Sequence, residues 1–205
     1  MKKRLLPIPL ILLIPILLLI VVSAAGIYRF SLSDDEILAK FPSSQQSNDA
    51  VIEQIFGLST PNPWTIEVPE SHAFSFIDQY DEQTQLATGN YDAGSERGTV
   101  SIWSKWMLSV SETDYVSVMS VSNQGSGVFY YLARFHYDQG LKRMVVKESY
   151  LLGDRIQVAS LNKSGQEIEV RFNKHVQGQS MIDTPSDEQL LRFSVSKAGI
   201  VNPIE

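Results

Sequence analysis

The stretch Gly127–Asp138, GVFYYLARFHYD, alternates in the way that indicates a β-strand packed against other parts of the chain. Side chains two positions apart on a strand lie on the same side of a sheet. One of the two faces in this stretch is almost wholly aromatic: Phe129, Tyr131, Ala133, Phe135 and Tyr137. The stretch therefore predicts a hydrophobic core built on a β-sheet.

The same period of two continues on both sides of this strand. Apolar residues alternate with polar or opposite-facing ones in three further segments, around Val116 and Val118, over 168–172 and over 191–195. Residues 100–110 are predicted to form a single strand, and its apolar face is Val100, Ile102, Trp106, Leu108 and Val110. Half-buried antiparallel strands have this pattern.

Short glycine-containing segments separate the predicted strands. Asn123–Gly127, Asp138–Gly140 and Asn162–Gly165 each supply a residue that can adopt positive φ in a tight hairpin. Hairpins join sequential neighbours, so residues 98–175 predict a meander. The predicted fold class is mainly β (α+β), an antiparallel meander sheet or sandwich over residues 64–205.

One of the segments between predicted strands contains charged residues. Gly153, Asp154 and Arg155 stand between the apolar segments ending at Leu152 and beginning at Ile156. Glycine permits positive φ, and an aspartate side chain can accept backbone amides that a corner leaves unpaired. We interpret the triplet as a structural turn, with a ligand-binding role for Arg155 as the alternative.

The chain begins with three basic residues and then an uncharged apolar run, Leu5–Ile27. As a helix this run is roughly 35 Å long, enough for a hydrocarbon layer of about 30 Å. Residues 1–27 therefore predict a signal anchor through the inner membrane, with the rest in the periplasm. Cleavage near Ala25, after a small-residue exit, is the alternative and gives a secreted or periplasmic protein.

Residues 28–63 contain two helix signals. Ser33 and Glu36 form a capping box, and Asn48 is the predicted cap of a second helix that ends at Gly57. Apolar residues recur in that helix at helical spacing: Val51, Ile52, Ile55 and Phe56. We interpret residues 28–63 as a helical stalk and linker, with packing of the helices onto the domain as the alternative.

The charge and composition of the chain exclude some classes of binding partner. The formal charge is −6 over the chain and −9 without the three basic residues at its start, which argues against nucleic acid and anionic lipid. Cysteine is absent, so stability has to come from core burial. The histidines His72, His136 and His175 have no metal-ligand spacing, and we interpret them as surface residues; no metal or cofactor is predicted.

The sequence contains none of the common catalytic motifs that are recognised by residue spacing. G-x-S-x-G, Walker and G-x-G-x-x-G patterns are absent, and no pair of carboxylates stands out. Trp103 and Tyr130 lie opposite the predicted core faces, which makes them candidates for an exposed aromatic platform that binds a sugar or peptide. The candidate contacts with a ligand or partner are Trp103, Tyr130, Arg155 and His175.

Two stretches, Gly125–Ala133 and Leu151–Val158, resemble a pattern in exported bacterial proteins and lipoproteins of unknown function. In that pattern a G-S-G-x-F-Y-Y-L-A strand precedes an L-G-D-R-V corner, and the resemblance covers roughly residues 115–196. The pattern commonly has adjacent cysteines where Ile182 and Asp183 stand here. The resemblance implies an exported β domain and no particular activity.

These features predict a membrane-anchored, extracytoplasmic β domain. Its expected role is non-catalytic binding of an envelope protein or cell-wall component. The alternative is an envelope hydrolase whose carboxylates are assembled by the fold.

Overall fold

The computed structural model describes residues 10–31, 48–196 and 199–203, and the chain divides into two compact units, Met1–Gln46 and Ser47–Glu205. The first unit contains helix α1, Leu10–Ser31. Among the described residues, no helix is both long and apolar enough for a membrane crossing. Residues 1–9 of the predicted anchor and the capping box at Ser33 and Glu36 lie outside the described residues.

The second unit begins with a short helix, α2, Ala50–Phe56. Asp49 is its N-cap, because its Oδ1 accepts a hydrogen bond from the backbone amide of Ile52 at 2.9 Å; the prediction of Asn48 is wrong by one residue. Gly57 ends the helix in the left-handed conformation, as predicted. Val51 and Ile52 lie in the main core, so α2 packs onto the domain and is not part of a separate stalk.

Within the described residues, nine strands form a large sheet: β1 (Trp64–Glu67), β2 (Phe74–Ile77), β3 (Gln79–Asp81), β4 (Leu86–Asp92), β5 (Arg97–Trp103), β6 (Leu108–Ser109), β7 (Asp114–Asn123), β8 (Val128–Asp138) and β9 (Arg143–Asp154). Their order is β2-β1-β9-β8-β7-β5-β4-β3, with β6 paired to β7. The pairs are antiparallel except β1 and β9, which run parallel and make the sheet mixed.

The large sheet nearly closes on itself. The amide of Asp78, just after β2, donates a hydrogen bond to the carbonyl of Thr88 in β4 at 3.1 Å. The two ends of the strand order therefore meet, and the sheet encloses its inner face.

A second sheet has four antiparallel strands in sequence order: β10 (Gln157–Ser164), β11 (Glu167–Lys174), β12 (Asp187–Ser196) and β13 (Gly199–Pro203). The meander predicted over 98–175 is therefore correct within each sheet but wrong as one continuous sheet. The chain changes sheets at the corner between β9 and β10.

The inner face of the large sheet holds the main core. Trp64 is fully buried and meets Phe135 edge to face, with ring centroids 5.0 Å apart. The aromatic face of β8 points into this core: Tyr131, Ala133 and Phe135 are buried, and Phe129 and Tyr137 pack against them. The first prediction from Gly127–Asp138 is confirmed.

The outer face of the same sheet packs against the second sheet. Val116, Val118 and Leu132 share a second core with apolar residues of β11 and β12: Ile168, Val170, Phe172, Phe193 and Val195. Strands β7 and β8 are therefore covered on both faces.

The single strand predicted over residues 100–110 is wrong. A 3₁₀ helix at Ser104–Trp106 interrupts it. Val100 and Ile102 lie in the inner core, whereas Trp106, Leu108 and Val110 pack against the outer one. The helical turn rotates the chain, so the residues after it no longer share a face with those before it.

Close contact of two backbones marks the closure of the large sheet. A Cβ atom at Gly89 in β4 would overlap the carbonyl group of Phe76 in β2 and lie 2.8 Å from Ser75 Oγ. Both Gly89 and Ser75 are buried, so the strands have no free space into which they can shift.

We expect Gly89→Ala to lower the free energy of unfolding by about 3 kcal/mol, since overpacking against backbone cannot be relieved by a rotamer change. Urea denaturation measures the loss. Gly140→Ala, in an exposed turn where a Cβ would lie 3.3 Å from Asp138 Oδ1, is the control and should change stability by about 0.5 kcal/mol or less. Equal losses in the two variants would contradict the closure.

Candidate functional site

The aromatic platform predicted from Trp103 and Tyr130 is not exposed. Their rings stack on each other with centroids 5.6 Å apart and planes 14° apart. Both side chains are half-buried against the outer core, because the second sheet covers the face of the large sheet that they occupy. Contact of either ring with a ligand stays a prediction.

The corner at Gly153–Arg155 has a structural role. Asp154 Oδ1 accepts a hydrogen bond from the backbone amide of Val128 at 2.8 Å, and the amide of Arg155 donates to the carbonyl of Val128 at the same distance. Gly153 has φ 154° and Arg155 has φ 48°, so both depart from the conformations that ordinary residues prefer. Arg155 lies in the bend and not on a strand face, and its guanidinium pairs with Asp154 at 3.2 Å.

His175 also differs from the prediction of a surface residue. It is half-buried beyond the end of β11, and its Nε2 lies 2.9 Å from the backbone oxygen of Asp183. This contact connects two points of the segment between β11 and β12. Its Nδ1 is buried and has no hydrogen-bond partner among the described residues.

The structure brings Asp114, Arg134, His136 and Glu148 together on β7, β8 and β9; we call these four residues the Arg134 cluster. Arg134 donates from Nε and Nη2 to Asp114 Oδ1 at 3.1 and 2.9 Å, and from Nη1 to Glu148 Oε1 at 3.2 Å. His136 Nδ1 lies 3.1 Å from the same Asp114 oxygen. The Arg134 and Asp114 side chains are only 10% and 13% exposed, which makes this a buried ion pair.

The protonation of Asp114 is fixed by its neighbours. Burial raises the pKa of the Asp114 carboxyl, but hydrogen bonds from Ser111 and Arg134, together with the Arg134 charge, outweigh it and leave the pKa below its usual range. Ser111 Oγ donates to Asp114 Oδ2 at 2.7 Å. The Ser111 hydroxyl is therefore bound to the carboxylate, whereas a catalytic serine is usually activated by a neighbouring histidine or lysine base.

Sequence reasoning missed this cluster. The one signal was that Arg134 and His136 share a face of β8, which is unusual beside so apolar a strand. Their partners Asp114 and Glu148 are distant in sequence, and only the strand register, which pairs Arg134 with Glu148 and Asp114 with His136, brings them together.

A groove lies where the β4–β5 turn, the end of β7 and the start of β2 meet; we call it the polar groove. Its volume is about 770 Å³ and it is open to solvent. Uncharged amide and aliphatic hydroxyl side chains supply half of its ten described lining residues: Phe74, Asn90, Tyr91, Asp92, Arg97, Gly98, Thr99, Ser122, Asn123 and Gln124.

A row of hydrogen bonds fixes the floor of the polar groove. Asn90, Thr99 and Ser122 stand opposite one another on β4, β5 and β7. Thr99 Oγ1 donates to Asn90 Oδ1 at 2.9 Å, and Asn123 Oδ1 accepts the amide of Gly125 at 2.9 Å. Each asparagine therefore has its oxygen engaged and its orientation fixed.

The charges of the polar groove balance each other. Arg97 Nε donates to Asp92 Oδ2 at 2.8 Å. The amide of Gly94 is the main reason that the pKa of Asp92 lies below its usual value, with burial acting weakly against it and Arg97 adding to the effect. Both side chains are exposed, and the other lining residues that the structure describes are uncharged.

Other site chemistry is limited in the described part of the chain. No three His, Asp or Glu side chains there come together as a possible metal site. A smaller cavity of about 190 Å³ beside the Arg134 cluster is lined by Ser111, Asp114 and Lys163, among others.

Comparison of the chain with protein-family models, with curated proteins and with solved structures gave no match. The resemblance to exported bacterial proteins therefore stays a prediction, and the function is argued from the residues of this chain.

We expect Asp114→Asn to lower the free energy of unfolding at pH 7 by about 3–5 kcal/mol, because Arg134 would keep a buried charge without its main partner. The folded-state pKa of Asp114 is depressed, so its stabilisation is complete above the unfolded pKa of about 3.9 and is lost as pH falls through the folded pKa. Chemical denaturation between pH 2 and 8 measures the difference from wild type.

The matched control for this series is Asp187→Asn. Asp187 pairs with Lys174 at 3.7 Å on the surface, so its loss should cost less than about 1 kcal/mol at any pH. A difference between Asp114→Asn and wild type that persists unchanged below the folded pKa would contradict the ionised, buried pair.

At the corner, we expect Asp154→Ala to be more destabilising than Arg155→Ala. The aspartate satisfies the half-buried amide of Val128, which is worth about 1–3 kcal/mol, whereas the arginine pairs only with its neighbour near the surface, worth about 0–1 kcal/mol. Urea denaturation of both variants measures the ranking. The reverse ranking would show that Arg155 and not Asp154 holds the corner.

Proposed function

We propose that the chain is a membrane-tethered, extracytoplasmic binding module that recognises an envelope component without catalysis. The tether is argued from the sequence: the uncharged run Leu5–Ile27 follows three basic residues, a pattern typical of an inner-membrane anchor whose following domain lies in the periplasm.

The observation that carries the binding function is the polar groove. At about 770 Å³ it lies within the roughly 300–1,000 Å³ range of ligand-binding clefts. It is built on three paired strands, β4, β5 and β7, which hold its polar side chains at fixed spacing. Sites on strands are more rigid than sites on loops, and a rigid site loses less entropy on binding.

The alternative of an envelope hydrolase has less support. A glycoside hydrolase that uses two carboxyl groups needs one of them to have a raised pKa so that it can act as the general acid. The fold brings Asp114 and Glu148 together in the Arg134 cluster, but both bind Arg134, and the pKa of Asp114 is lowered. No observation favours this alternative over binding.

Photo-crosslinking in intact cells tests the proposed function. The full chain carries a benzoylphenylalanine in place of Phe74, at the polar groove, and a second version carries it in place of Gln83, in the exposed turn between β3 and β4. We expect irradiation to give membrane-associated adducts from position 74 and few or none from position 83.

The nature of the adducts identifies the class of partner. Sharp bands indicate a protein, and a broad distribution that a glycosidase collapses indicates a polysaccharide; both support binding at the groove. The same adducts from both positions, or none from either, would overturn binding at the groove. The location is tested separately by treating spheroplasts with a protease, and a domain that the protease does not release would overturn the periplasmic location.

A further inference from the structure

We propose that the polar groove binds a neutral, hydroxyl-rich saccharide chain. This deepens the proposed function, since it names the ligand class of the same groove. Four features of the lining support it: one exposed aromatic ring, a row of uncharged hydrogen-bonding groups, balanced charges, and the scarcity of apolar pockets.

Phe74 supplies the apolar contact. It is 57% exposed at the start of β2, where the strand alternates between exposed and buried residues, and it borders the groove. An aromatic face of this kind stacks on the C–H surface of a sugar ring. Exposed aromatic rings otherwise cost solvation free energy, so their place beside a groove points to a contact.

The neutral polar residues supply the directional contacts. The engaged oxygens of Asn90 and Asn123 leave their Nδ2 groups as donors, and among the described residues no protein atom accepts from them or bonds to the Gln124 amide. The two asparagine Nδ2 groups can donate to sugar hydroxyl oxygens, and the Gln124 amide can both donate to and accept from a hydroxyl group.

The balance of charge selects a neutral ligand. Asp92 and Arg97 pair with each other, so the groove offers a polyanion no unpaired cation. The exported part of the chain carries a formal charge of −9, which repels polyanions over longer distances. A neutral polysaccharide needs no unpaired cation in the groove and is not repelled by the net negative charge.

A peptide fits the same groove less well. Extended peptides are usually held by a free strand edge together with pockets for alternate side chains. The second aromatic residue of the lining, Tyr91, is 4% exposed, and its hydroxyl donates to Glu96 at 2.6 Å. Among the described lining residues, Phe74 is thus the one large apolar side chain that is free for contact.

Calorimetric titration of the full chain tests the proposal. The protein is held in a detergent without a sugar head group, and the probe is the hexamer of β-1,4-linked N-acetylglucosamine. We expect Phe74→Ala to raise the Kd about tenfold or more, because loss of a central aromatic contact commonly costs that much. Hexagalacturonate, which is anionic, should bind at least tenfold more weakly than the neutral hexamer.

Phe76→Ala is the matched control. Phe76 lies two residues along the same strand face and is 50% exposed, but it does not line the groove. We expect its Kd to stay within about twofold of wild type. Circular dichroism should show both variants folded, since neither side chain is buried.

Three outcomes would overturn the proposal: equal effects of the two phenylalanine variants, tighter binding of hexagalacturonate, or no saccharide binding. Binding of a neutral Ala/Ser decapeptide that depends on Phe74, without saccharide binding, would make the ligand a peptide. If saccharide binding fails while crosslinks from position 74 persist, the saccharide class is wrong and the binding function stands.

Discussion

The structure depends on burying two faces of one pair of strands. β7 and β8 present Met119, Val121 and Phe135 to the inner core, and Val116, Val118 and Leu132 to the outer one. Burial of apolar surface contributes roughly 25 cal/mol per Å², and this chain has no cysteine with which to supplement it. Each face therefore needs its own cover. The curl of the large sheet with α2 covers the inner face, and the second sheet covers the outer one.

Those two covers explain the less regular features. The large sheet nearly closes on itself around the inner core, and closure requires the glycine at position 89. The chain crosses from one sheet to the other at Gly153–Arg155, where Asp154 supplies the bond that strand pairing no longer provides. Arg134 follows Leu132 on the outer face of β8, and Asp114 and Glu148 compensate its charge. Beyond Val121 the apolar pattern of β7 ends, and Ser122 and Asn123 form part of the polar groove.

Features that depend on residues close together in the sequence could be predicted, and features that depend on contacts between distant residues could not. The aromatic face of β8 and the stop at Gly57 are local patterns, and both were predicted correctly. Trp103 and Tyr130 were misjudged because their exposure depends on a second sheet that no local pattern places. The polar groove joins Phe74, residues 90–99 and residues 122–124, so only the strand order brings it together. The Arg134 cluster depends on strand register in the same way, and its one local sign was two polar residues on one face of β8.

The central claim is that β7 and β8, the strands covered on both faces, hold the domain together. Native-state hydrogen exchange on the full chain tests this claim most directly. Amides in such a pair can exchange only when the whole domain unfolds. The account predicts that the slowest amides lie in β7 and β8, with exchange free energies equal to the global free energy of unfolding, and that β2, β3 and β10 at the ends of the strand orders exchange faster. Slowest exchange in β11 and β12, with β7 and β8 opening earlier, would contradict it.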